Sequence, residues 1–195
     1  MSDLRVLIWP IYLPSLINQL CEQLTATSVA LFALQISGST ALAGAAVGAT
    51  GLGVVVSNVP ASLLYRMLGA QRTLATGQAI SGLASIIVAQ GCRVRSMALF
   101  VAGLALVGVG DATFLIARSS RVREVTTPAV RGRATAMFGG IGRVAQVFGP
   151  PVGGFVVGRV GVGMAFMLRG VGLFVGALTV MFSRGFVPTL QAPDD

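Results

Sequence analysis

The 195 residues include no histidine and no lysine; the 14 basic residues are all arginine, set against six acidic ones. Without histidine, neither a histidine-ligated metal site nor a Ser-His or Cys-His catalytic pair can be built. No serine stands in a G-x-S-x-G setting and there is no H-E-x-x-H, so the sequence offers no hydrolase motif, and the chain is expected to be no enzyme and to need no cofactor. The two cysteines, Cys21 and Cys92, match neither a disulfide framework nor a metal-ligand spacing, and both read as packing residues. The arginines lack the aromatic interleaving that a nucleic-acid surface needs, which excludes nucleic acid as a partner. The opening MSDLRVLIWP has no basic n-region followed by a short apolar core and a cleavage site, so the first apolar segment is expected to be retained.

What the chain has instead is apolar residues, 54% of the total, with only 10% charged and a mean hydropathy of +0.85. That composition specifies an all-α, multi-pass integral membrane protein. A helix needs about 20 apolar residues to cross the hydrocarbon core, and six such segments stand at 9–36, 41–64, 73–92, 97–117, 134–158 and 163–183. The expected organisation is a cytoplasmic N-terminus over 1–8, a six-helix transmembrane domain over 9–184 and a short polar tail over 185–195. The connections are short except Ala117–Arg133, read as a loop carrying Arg118, Arg121, Arg123, Arg131 and Arg133. With these, Arg5, Arg66, Arg72 and Arg184 fall on one side and only Arg93, Arg95 and Arg159 on the other. The positive-inside bias then places both termini in the cytoplasm, and the plasma membrane is the expected location.

Glycine recurs at four-residue spacing in Gly44 and Gly48, Gly149 and Gly153, and Gly154 and Gly158. Such pairs read as seams where helix backbones approach closely, because lipid gives helices no hydrophobic reason to associate.

Ionisable groups at mid-membrane cost at least ~2.5 kcal/mol each and mark pathways or pairs. The first segment carries Ser15, Asn18, Gln19, Glu22 and Thr25 at helical spacing, a polar stripe on an apolar helix. The fourth places Asp111 among glycines and apolar residues, and the fifth supplies Arg143. Two carboxylates and one guanidinium in one cavity leave a negative charge that a proton can neutralise, which is the requirement for a proton carrier. Glu22 reads as the titrating group and Arg143 as the counter-ion of Asp111. Arg169, about six residues into the last segment, reads as an interfacial anchor that snorkels to the headgroups.

Six spans, a short basic second-to-third loop and a fifth span with G-P-x-x-G-G together resemble the N-terminal half of a Major Facilitator Superfamily transporter. Gly149, Pro150, Gly153 and Gly154 are similar to the fifth-helix signature of its antiporter branch, with Gly140 and Gly142 upstream. Pro150 is expected to kink this helix, freeing the carbonyls of Gln146 and Val147. In the second-to-third loop Arg66, Gly69 and Arg72 fit the family pattern, with Gly69 one residue late, while Ala61 replaces its first glycine and Tyr65 its acidic residue. Leu104 stands where the fourth-span pattern has arginine. The resemblance implies two inverted three-helix repeats, faintly marked by Pro60 and Pro150, and substrate held between two six-helix halves, of which these residues supply one.

The reading that follows is a secondary transporter of a small organic molecule, with proton coupling expected from the stripe and the trio. It requires a second half, by homodimerisation or by pairing with another bundle. Two alternatives stand beside it: a truncated or remnant half-transporter, and a nontransporting membrane partner of a full-length relative.

Overall fold

The structure is a computed structural model and describes residues 13–125 and 128–182. The expected N-terminal segment 1–8, the tail 185–195, Arg5 and Arg184 lie outside the described residues. All regular structure in the described part is helical: α1 (Leu13–Ser37), α2 (Thr40–Arg93), α3 (Met97–Val125) and α4 (Pro128–Phe182). Among the described residues α2, α3 and α4 are long and apolar enough to cross a membrane.

A straight helix of 54 or 55 residues, the lengths of α2 and α4, would extend about 80 Å, well past the ~30 Å hydrocarbon core. Each is broken once, at a glycine. Gly69 has φ 76 and ψ 172, and Gly161 has φ 82 and ψ 164, a region that essentially only glycine occupies. The breaks divide α2 into 40–68 and 70–93, and α4 into 128–160 and 162–182, so the described chain has six helical segments. Pro60, Pro150 and Pro151 lie inside helix with no non-helical torsion at any of them, and Gly161 forms the turn between the expected fifth and sixth segments.

Over the described residues the apolar runs read from the sequence lie on these helices, with one difference at the fourth-to-fifth connection. The long fourth-to-fifth loop is largely helix: α3 continues to Val125 and α4 starts at Pro128. Its polar residues support the helix rather than end it, Arg121 pairing with Glu124 and Arg123 with Ser120, each three positions apart.

Packing follows the glycines. Gly53 and Gly108 hold 40–68 against α3 so closely that an added Cβ would stand 2.0 Å from the carbonyl oxygens of Ala105 and Thr50. Gly77 and Gly110 do the same for 70–93 against α3. Gly149 and Gly153 pack 128–160 on Gln23 and Leu24 of α1, as expected of that pair, while Gly172 meets Cys21 and Gly82 meets Gly170. Gly44, Gly48, Gly154 and Gly158 form no seam within the bundle; a Cβ on any of them would meet nothing within 4 Å.

These contacts have an internal symmetry. Exchanging the first segment with the fourth, the second with the fifth and the third with the sixth turns the second-to-fourth contact into the fifth-to-first, and the third-to-fourth into the sixth-to-first. The third-to-sixth contact maps onto itself, and Gly69 maps onto Gly161, 92 positions later. Phe100, near the start of α3, is fully buried, with ring centroids 5.2 Å from Phe32 and 6.4 Å from Phe166.

Candidate functional site

The close approach of 70–93 to α3 at Gly77 and Gly110 brings Ser81 and Asp111 together, and the Ser81 hydroxyl donates to Asp111 Oδ1 at 2.6 Å. The meeting of Gly82 and Gly170 brings the last segment onto the same place, and with it Arg169. Arg169 Nη2 donates to Asp111 Oδ2 at 2.7 Å, and Nη1 to Thr25 Oγ1 at 3.0 Å and the Cys21 carbonyl at 3.4 Å. The arginine side chain is 3% exposed and the aspartate 17%. One guanidinium therefore ties together α1, the second part of α2, α3 and the end of α4.

Arg169 is thus not an interfacial anchor, and Arg143 is not the counter-ion of Asp111. Arg169 lies two turns inside its segment, flanked by Gly170 and Gly172, which leave room for a buried guanidinium. Arg143 is exposed on the surface of 128–160.

Above this pair opens a cavity of about 180 Å³, lined among others by Glu22, Thr25, Thr50, Asp111 and Arg169, with Val47, Leu104 and Phe166 as apolar wall. Glu22 is half-buried and lies within the electrostatic reach of Asp111, Arg169 and Arg118. Its carboxylate has no ion-pair partner among the described residues. Leu104, at the position where an arginine was expected, is buried against this cavity.

The remaining stripe residues divide. Asn18 is buried, and its Oδ1 finds no hydrogen bond among the described residues; Gln19 is half-buried and faces Gly142 of the fifth segment. Ser15 and Thr25 are fully buried. Of the signature in the fifth segment, Gly149 and Gly153 are buried against α1, Pro150 is half-buried, and Gly154 is exposed. At the other motif Arg66 and Arg72 are exposed on either side of the break at Gly69. Tyr65, which stands where the family pattern has an acidic residue, donates its hydroxyl to the carboxylate of Glu124, which Arg121 also meets at 3.4 Å.

Sequence reasoning missed Ser81 and the role of Arg169. A signal for the first existed, since Gln78, Ser81 and Ser85 form a second buried polar stripe at helical spacing.

The profile of the Major Facilitator Superfamily matches residues 11–193. The chain belongs to that superfamily. No curated protein matches it at a significant level. Membership in this family of membrane transporters makes the chain an integral membrane protein of the transporter class. For a superfamily bundle, the Asp111–Arg169 pair and Glu22 are the ionisable groups that its central crevice presents among the described residues.

Proposed function

We propose that the chain is one bundle of a proton-coupled secondary transporter for a small organic molecule, completed by a second six-helix bundle in a homodimer. The observation that carries this reading is the sharing of one cavity by Glu22, Asp111 and Arg169. Arg169 is engaged through both terminal nitrogens, Nη2 by Asp111 and Ser81 and Nη1 by Thr25. Glu22 is the carboxylate left to exchange a proton against a cationic or amphiphilic substrate, with Arg118 also within its electrostatic reach. Apolar Val47, Val107 and Phe166 would take the substrate's body.

The cavity of about 180 Å³ is smaller than the ~300–1,000 Å³ of ordinary ligand pockets. A second wall facing it would complete such a pocket, which supports assembly of two bundles. Six crossings with both termini on the cytoplasmic face of the cell membrane fit the bias of the arginines.

Proteoliposomes test the reading, with ethidium as an amphiphilic organic cation and an imposed pH gradient. Gradient-driven accumulation is expected with the wild-type chain and its loss with Glu22→Gln; equal accumulation by the two refutes the assignment. A nontransporting partner is the second reading, favoured by the open glycine faces at Gly44, Gly48, Gly154 and Gly158. Co-purification of a longer relative from native membranes, together with absent transport, would select it.

A further inference from the structure

The internal symmetry extends to two cavities away from the central crevice. The first, of about 650 Å³, is walled by Leu68, Gln71, Arg72, Ala75 and Met181, where the break at Gly69 meets the end of α4. The second, of about 410 Å³, is walled by Val160, Gly163, Met164 and Met167, where the break at Gly161 meets the end of α2 at Arg93. Leu68, Gln71, Arg72 and Ala75 correspond, 92 positions on, to Val160, Gly163, Met164 and Met167. The two cavities are built on equivalent positions of the repeat, at opposite ends of the third and sixth segments, while each takes its arginine from a different position: Arg72 corresponds to Met164, and Arg93 stands at the far end of the third segment.

Arg72 and Arg93 stand at the two ends of the segment 70–93. At 1.5 Å per residue they are separated by about 31 Å along its axis, which matches the ~30 Å hydrocarbon thickness of a bilayer. Each cavity is therefore level with one row of lipid headgroups. Both arginines are exposed, and no ion pair among the described residues engages either. Gln71 is spoken for, donating to the Val180 carbonyl at 2.8 Å. What remains at each site is a guanidinium at headgroup depth beside an apolar hollow lined by methionine: Met181 in one, Met164 and Met167 in the other. A guanidinium binds phosphate oxygens by charge-assisted, often bidentate hydrogen bonds, and basic pockets between membrane helices are suited to anionic headgroups.

We propose that these are two phospholipid sites, one per leaflet, each holding an anionic phosphodiester headgroup on its arginine, Arg72 or Arg93, with the upper acyl chain in the adjoining hollow. The proposal rests on membrane placement of the bundle and not on transport, so a chain that moves no substrate would still bind these lipids.

Native mass spectrometry of the chain in mild detergent tests it, with phosphatidylglycerol, phosphatidylcholine and inorganic phosphate as the probes. Two retained phosphatidylglycerol molecules are expected for the wild-type chain, one for Arg72→Gln or Arg93→Gln and none for the double variant, with Arg72→Lys keeping both. Phosphatidylcholine at equal concentration is expected to be retained at least fivefold less. Equal retention of the two lipids, or undiminished retention by the double variant, overturns the proposal. Displacement by millimolar inorganic phosphate also overturns it, since it would assign the sites to free phosphate rather than lipid. Both arginines are exposed, so the substitutions leave the packed interior untouched; an unchanged melting temperature in detergent verifies this.

Discussion

Arg169 and Asp111 meet at 2.7 Å across the centre of the bundle, 58 residues apart in sequence, with the Ser81 hydroxyl bound to the second carboxylate oxygen. The pair is held by backbone contacts that glycine alone permits, since Gly110 and Gly170 flank the two charged residues and both sit directly against the third segment.

Breaking the pair from one side is expected to cost more than removing it. Asp111→Asn leaves a buried guanidinium without its anion, at a cost of about 3 kcal/mol, whereas an apolar replacement of both partners is often near neutral. Thermal unfolding in detergent should therefore place Asp111→Asn and Arg169→Met well below wild type and the double variant Asp111→Leu/Arg169→Met above either single one. Additive losses in the double variant would show that the two charges act independently.

Arg143 makes the converse case. Exposed on the fifth segment, it makes no ion pair among the described residues, and Arg143→Gln is expected to shift stability by less than ~0.5 kcal/mol. A loss as large as that of Arg169→Met would restore it as a buried counter-ion.

The contact between 40–68 and α3 has no room for a side chain. Gly108→Leu would drive a Cβ to within 2.0 Å of the Thr50 carbonyl oxygen, and overpacking of this kind costs at least ~1–3 kcal/mol. Loss of the monodisperse peak in size-exclusion chromatography is expected, while Gly48→Leu, on an open face, should retain it.

The two breaks test the repeat. Gly69→Ala and Gly161→Ala each place a Cβ on a backbone with φ near +80, which costs of order 1–3 kcal/mol. Similar destabilisation by the two is expected from their matching torsions, even though neither Cβ would touch another atom. A silent substitution at one site would mean that the two turns are not equivalent.

The all-helical class was legible because hydropathy and length constrain a membrane helix so strongly; over the described residues the apolar runs lie on the helices that the sequence forms. The loop from Ala117 was misread because its arginines mark an end to the apolar run and not to the helix, and Arg121 with Glu124 carries helix on beyond it. Glu22 and Asp111 were legible as charges in apolar surroundings. Their partner was not, because Arg143 and Arg169 have the same local signature of an arginine among glycines, and only the packing of the third segment on the sixth decides which one points inward. The symmetry gives that choice a physical form. Arg169 occupies the position equivalent to Gly77, 92 residues earlier, so one repeat places bare backbone against its neighbour where the other places the cation.

Proton release measured on the purified chain in lipid nanodiscs, in weakly buffered solution with a pH indicator and ethidium as the added cation, bears most directly on Glu22 as the exchanging group. Release of roughly one proton per chain is expected for wild type and none for Glu22→Gln, because binding and protonation compete for the same carboxylate. Equal proton release by the two proteins would contradict it.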